Sequence, residues 1–279
     1  MSWFDFGVSS ETDISPFIVV NYNSVTHDPD SLQNSGEVLI PAAWDGKLVM
    51  FQVGLRLTST SVITLHLERS VDGGSVWTVI SGNTRDNTAL MHNIQSPAII
   101  VNTGDRFRVR ADSTNSNIRT LVSIATRFQG YIVPEDGSTI DRFKVYNDQG
   151  TAYNTSDFLV VNHNVEDYRS FSTSGLQGDG SYIIPVDGLT GIGHFMCRLQ
   201  SNSSIEHWTG YVTVEDDLGT AIAGGQFGSS GNSRWTCGVV SEIAPGYRIR
   251  HNIFANNAGN LRTGSDVRRN WLTGIMWEI

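Results

Sequence analysis

The chain repeats itself, and the repeat limits what it can fold into. Phe17-Ile18-Val19-Val20-Asn21-Tyr22-Asn23 returns as Phe158-Leu159-Val160-Val161-Asn162-His163-Asn164, and Ile40-Pro41 returns as Ile184-Pro185. Phe107-Arg108-Val109-Arg110 returns as Tyr247-Arg248-Ile249-Arg250, each just after a glycine (Gly104, Gly246). Phe128-Gln129-Gly130-Tyr131-Ile132 returns as Leu272-Thr273-Gly274-Ile275-Met276. Four matches in one order, with a spacing that drifts by only a few residues, mark a tandem duplication. The boundary falls near Pro134–Thr139 and divides the 279 residues into domains 1–135 and 136–279, each large enough to fold around its own core.

Each copy reads as strands. Glu37–Ile40, Leu48–Leu57, Val62–Glu68, Phe107–Arg110 and Thr120–Phe128 are β-branched, aromatic and mostly of period two. Between them lie clusters such as Ser70-Val71-Asp72-Gly73-Gly74, whose residues supply turn geometry. No segment of helical length carries a 3.6-residue period. Short strands separated by such turns imply a sandwich or a barrel. Alternation assigns faces: Phe107 and Val109 point inward, with Arg108 and Arg110 outward on a face of cross-strand ion pairs. In the second copy the same pattern puts Tyr247 and Ile249 inside and Arg248 and Arg250 outside.

Charge excludes some partners. The chain carries 19 basic and 28 acidic residues, a net −9, spread over both halves. That balance excludes a phosphate-neutralising nucleic-acid binder and a peripheral membrane protein. No apolar run approaches the roughly 18 residues of a membrane span, so no membrane insertion is expected. Lysine occurs only at 47 and 144, and arginine, the better partner for fixed planar pairs, supplies the rest. Cys197 and Cys237 lack the spacing of a zinc site and read as two reduced, buried thiols, with a disulfide between neighbouring strands as the alternative.

Four features resemble the C1q/TNF-like jelly roll: an early Phe-rich strand, an Ile-Pro step before Trp44-Asp45-Gly46-Lys47-Leu48-Val49, the Gly104–Arg110 strand and the closing Phe128–Val133 strand. The second copy keeps the closing strand and lacks the Trp44 turn. The resemblance implies an all-β fold of two tandem jelly-roll β-sandwich domains and, from the family's habit, homo-oligomerisation. Doubled domains of this kind are similar to head-spike or fibre proteins of bacteriophages and gene transfer agents. That likeness implies the surface of a virion or phage-like particle, with other capsid or spike proteins as partners. Met1–Gly7 has neither the basic nor the apolar region of a secretory signal, so synthesis in the host cytoplasm is expected.

Catalytic chemistry is not found. There is no nucleophile elbow, phosphate-binding loop or HExxH motif. His27, His66, His92, His163, His194, His207 and His251 are scattered, without a paired spacing on one face. Ser70–Trp77 resembles a single Asp-box hairpin, in which Asp72 caps loop N–H groups and Trp77 packs beneath. Glu215, Asp216 and Asp217 are sequence neighbours, which alternation sends to opposite sides, so a turn or a calcium site explains them better than glycoside hydrolysis. No cofactor is expected; calcium would suit loop carboxylates, but no spacing motif supports it.

Loop chemistry in the second copy stands out instead. His163–Arg169, Asn202–Trp208, Gly231–Trp235 and Asn256–Arg262 combine aromatic rings with amides and charges. A sugar needs a flat apolar platform for its C–H faces and fixed donors and acceptors for its hydroxyls. Tyr168, Arg169, His207, Trp208, Arg234 and Trp235 are therefore the expected glycan-binding residues. The expected function is non-enzymatic adhesion to bacterial surface (capsular) polysaccharide. The alternative is a structural adaptor or capsid-decoration protein without glycan binding; for it Trp3-Phe4-Asp5-Phe6 reads either as an ordinary first strand or as an anchor.

Overall fold

Period-two burial builds the sheets. Along Arg106–Ser113 every second residue, from Phe107 to Ser113, is buried. The computed structural model describes residues 3–14, 18–28, 30–59, 62–85, 91–113, 117–123, 126–134, 139–147, 152–154, 159–200, 208–229, 234–255, 260–262 and 270–278. The chain divides into two compact units, Met1–Pro134 and Glu135–Ile279. Among the described residues there is no α-helix.

The first unit contains β1 (Trp3–Gly7), β2 (Ile18–Val19), β3 (Ser24–His27), β4 (Gln33–Asn34), β5 (Glu37–Leu39), β6 (Leu48–Arg56), β7 (Ile63–Ser70), β8 (Thr78–Arg85), β9 (Met91–Gln95), β10 (Ile99–Ile100), β11 (Arg106–Ser113) and β12 (Arg127–Ile132). One sheet runs β10-β6-β12-β1-β3, with β9 also on β6; the other runs β4-β5-β11-β7-β8, with β2 on β11. The chain crosses repeatedly between the sheets, and its first and last strands pair in the middle of one of them. That winding is a jelly roll. Trp3–Gly7 therefore takes the first-strand reading of that segment, as a central strand held between β12 and β3 with all five residues buried, and not an anchor free to leave the fold.

The second unit repeats the winding with β13 (Ile140–Tyr146), β14 (Ala152–Asn154), β15 (Leu159–Val160), β16 (Val165–Arg169), β17 (Tyr182–Ile183), β18 (Gly191–Gln200), β19 (Trp208–Glu215), β20 (Ala221–Ser229), β21 (Arg234–Ile243), β22 (Arg248–Ala255), β23 (Asn260–Arg262) and β24 (Trp271–Trp277). Its sheets run β16-β13-β24-β18-β21 and β15-β22-β19-β20, with β17 on β22; β14 and β23 form a separate pair. The fold is all-β, two tandem jelly-roll sandwiches.

Each unit has its own core, and the closing strand shows how the copies solve one packing problem. Gly130 faces Phe4 and Phe51 across the ladder, and Gly274 faces Phe143 and Phe195. A Cβ on Gly130 would stand 2.4 Å from the Phe4 ring and 2.9 Å from that of Phe51. On Gly274 it would stand 2.4 Å from Phe143 and 2.7 Å from Phe195. Each glycine clears room for two flanking rings.

The register corrects one part of the repeat. Gly104 N–H donates to the Ile40 carbonyl and Gly246 N–H to that of Ile184, each at 2.9 Å; Ile40 and Ile184 in turn bond to the carbonyls of Asp105 and Tyr247. Phe107 pairs with Val38 and Ile249 with Tyr182. Arg106-Phe107-Arg108-Val109 is thus equivalent to Arg248-Ile249-Arg250-His251, two residues away from the match that Phe-Arg-Val-Arg and Tyr-Arg-Ile-Arg suggest. Alternation cannot detect such an error, because a shift of two residues keeps every side chain on its face. Tyr247 takes the place of Asp105, stands ahead of β22 and is half-buried at the rim instead of inside.

Candidate functional site

The expected arginine faces are ion pairs that hold the sheets together. Glu68 on β7 is buried and accepts from Arg108 Nε at 2.7 Å and from Arg110 at 3.0 Å. The Arg108 guanidinium also lies 3.8 Å above the Trp77 ring. In the second unit Arg250 stands 3.3 Å from Glu215, and Arg248 3.8 Å from Asp179.

Two carboxylates that stood out in sequence close hairpins. Asp72 Oδ1 accepts from the N–H groups of Ser75 and Val76 at 3.0 Å and from Ser70 Oγ at 2.6 Å, and these bonds hold its carboxyl below the usual range. Trp77 Nε1 donates to Gly74 O. Asp216 does the same work between β19 and β20, accepting from Leu218 N–H and Thr220 N–H. Both are turn residues.

The expected glycan contacts whose backbones are described fall on three strands. Tyr168 and Arg169 lie on β16, an edge strand, and Tyr168 is 43% exposed. A bulge opposite Lys144 and Val145 leaves Asp167 unmatched in the ladder; its carboxylate takes Lys144 Nζ at 2.8 Å. Arg169 is engaged locally, with Glu166 and with the carbonyl of Phe171, and Glu166 also accepts from the Tyr182 hydroxyl. The backbones of Arg234 and Trp235 open β21, at the opposite edge of that sheet, four strand spacings or about 19 Å from β16. Trp208 opens β19 in the facing sheet. The side chains of Trp208, Arg234 and Trp235, all of His207, and the adjoining loops 201–207, 230–233 and 256–259 lie outside the described residues.

Two features escaped the sequence. His163 Nε2 and His251 Nδ1 approach to 3.2 Å in the core of the second unit, with their rings stacked, so the histidines are not all isolated. Burial pushes His163 down to about 3, and burial with its neighbour pushes His251 well below the usual histidine value. The pair replaces Tyr22 and Val109 of the first unit, as equivalent bonds show: Val20 N–H to Val109 O in one copy and Val161 N–H to His251 O in the other. It is interior packing, out of reach of a ligand.

The second missed feature is a cleft. A cavity of about 450 Å³ is lined by Thr190, Gly191, Glu242, Ile243, Ala244, Tyr247 and Glu278. Gly191 forms part of its wall, where a Cβ would meet the Trp277 carbonyl at 2.1 Å. The Tyr247 phenol is pushed up by partial burial and by the carboxylates of Glu242, Asp217 and Asp216. The equivalent corner of the first unit has an ion pair, Arg69 to Asp105 at 2.5 Å, with Asp105 buried. By register Val214 replaces Arg69 and Tyr247 replaces Asp105, so both members of the pair are absent together. The sequence signal was present in Gly246-Tyr247 against Gly104-Asp105, but the shifted match hid it.

Among the described residues no group of three or more His, Cys, Asp or Glu side chains could hold a metal ion. The described chemistry suits recognition: an aromatic wall, a hydroxyl and carboxylates in a concave site.

No known protein-family pattern matches the chain, and no curated protein matches it. Solved structures do. Murine APRIL is 14% identical with a TM-score of 0.39, over 49% of this chain and 98% of that one. The globular domain of zebrafish complement 1qA protein is 13% identical with a TM-score of 0.35, over 50% and 98%. Eiger TNF from S. frugiperda is 15% identical with a TM-score of 0.35, over 50% and 96%. Each match has the length of one jelly roll, and the likeness is one of fold.

Proposed function

We propose that the chain is a non-enzymatic carbohydrate-binding protein whose second unit holds the sugar, in the setting of a phage-like particle that adheres to bacterial surface polysaccharide. The observation that carries this reading is the Tyr247 cleft. Its volume falls in the range of small-ligand sites, and its lining joins an aromatic ring to the hydroxyl of Thr190 and the carboxylates of Glu242 and Glu278. Tyrosine offers a flat face to sugar C–H groups, and carboxylates accept from sugar hydroxyls. The first unit, with Arg69 and Asp105 at that corner, has the supporting role.

Binding to a glycan array and to purified capsular polysaccharide tests the proposal. Tyr247→Ala is expected to weaken binding at least tenfold. Loss on Tyr168→Ala with Tyr247→Ala unaffected would move the site to the edge strand β16. Absence of any glycan binding would overturn the function, and sustained release of reducing ends would overturn its non-enzymatic part. The particle setting is tested by immunogold labelling of phage-like particles from the source cells; unlabelled particles would remove it.

A further inference from the structure

The chain has only two cysteines, and the fold makes them partners. Cys197 on β18 and Cys237 on β21 are directly opposite in an antiparallel ladder. Their sulfurs are 3.4 Å apart, both thiols are free, and both side chains are buried. Residues opposite each other in such a ladder have Cα atoms about 4.5–5.5 Å apart, a span that a disulfide bridges without moving the backbone.

The first unit shows that the pair is a joint replacement. Gly130 pairs with Phe51 and Gly274 with Phe195, so Val53 is equivalent to Cys197. Val53 faces Ile94 across the ladder, as Cys197 faces Cys237. Two apolar core residues in one copy correspond to two thiols in the other, at one cross-strand position.

We propose that Cys197 and Cys237 form a redox couple, a modification site at which an intramolecular disulfide closes between β18 and β21 on reaction with a small-molecule disulfide. One cysteine thiolate attacks a sulfur of the reagent, breaking its S–S bond, forming a mixed disulfide and releasing one reagent thiolate. The second cysteine thiolate attacks the protein sulfur of that mixed disulfide, forming the Cys197–Cys237 bond and releasing the second reagent thiolate. The two protons of the cysteine thiols end on the two reagent thiols; the protein is oxidised and the reagent reduced. Burial slows entry, but β21 ends the hydrogen-bonded order of its sheet, so opening one edge strand admits the reagent.

The test is incubation of the full chain with oxidised glutathione, followed by intact mass, a non-reducing peptide map and thermal unfolding. Closure is expected to remove the mass of two hydrogens, to give one linked peptide pair carrying residues 197 and 237, and to raise Tm until a reductant is added. Cys237→Ala is expected to stop at a glutathione adduct on Cys197. The proposal falls if the wild-type chain accumulates adducts without closing or links only to other chains. It also falls if both thiols stay free in a urea concentration that opens β21.

Discussion

At the scale of single residues, the copies use different means to fill the same interior position. Tyr22 fills it in the first unit, with its hydroxyl donating to the Gly54 carbonyl at 3.1 Å; His163 and His251 fill it in the second. The histidine solution depends on pH. His163 has a folded value near 3 against an unfolded value of 6.5, so the unfolded chain binds the extra proton. The contribution of His163 is complete well above pH 6.5 and is lost as the pH drops from there toward 3. At pH 5, His163 alone costs the second unit about 2 kcal/mol. Grafting the first copy's residues, His163→Tyr with His251→Val, is expected to flatten this loss, as read by urea unfolding at pH 7.5 and pH 5. Glu68 makes a second prediction. Glu68→Ala removes the carboxylate shared by Arg108 and Arg110. A fully buried broken pair costs about 3–5 kcal/mol; with the arginines 17% and 31% exposed, about 2 kcal/mol is expected in chemical denaturation.

Among elements, the closing strands are the least tolerant. Gly130→Ala puts a methyl against Phe4 and Phe51, and overpacking of this kind costs about 1–3 kcal/mol. Adding Phe4→Leu is expected to restore part of that loss in Tm; a loss unchanged by the second substitution would place the strain elsewhere. The strands show why so much of the fold was legible. Buried alternation along Arg106–Ser113 was readable from Phe107 and Val109, and Asp72 announced its hairpin. The two-residue shift of the β22 match was not readable, since an even shift leaves the pattern of faces intact. Tyr247 was misplaced for that reason, and the cleft with it. The His163–His251 contact was hidden differently: its members are 88 residues apart, and only the winding of the sheets joins them. Of the expected contacts on β16, Tyr168 is an exposed ring, while Arg169 is occupied by Glu166 and the Phe171 carbonyl.

For the molecule as a whole, duplication gives the proposed site its most direct test. Val214→Arg with Tyr247→Asp would install in the second unit the ion pair that occupies this corner in the first. Glycan binding is expected to be lost, with circular dichroism showing a folded sandwich; undiminished binding would show that the corner plays no part. The Arg69–Asp105 corner has one more consequence. Because it lies in the same polypeptide as the cleft, every sample contains corner and cleft in equal amounts, at one temperature and in one buffer. In an NMR titration with saccharide, the amide signals of Arg69, Asn102 and Asp105 act as an internal reference. Shifts that follow Tyr247 while those three stay still report occupancy, and shifts common to both report only a change of solvent.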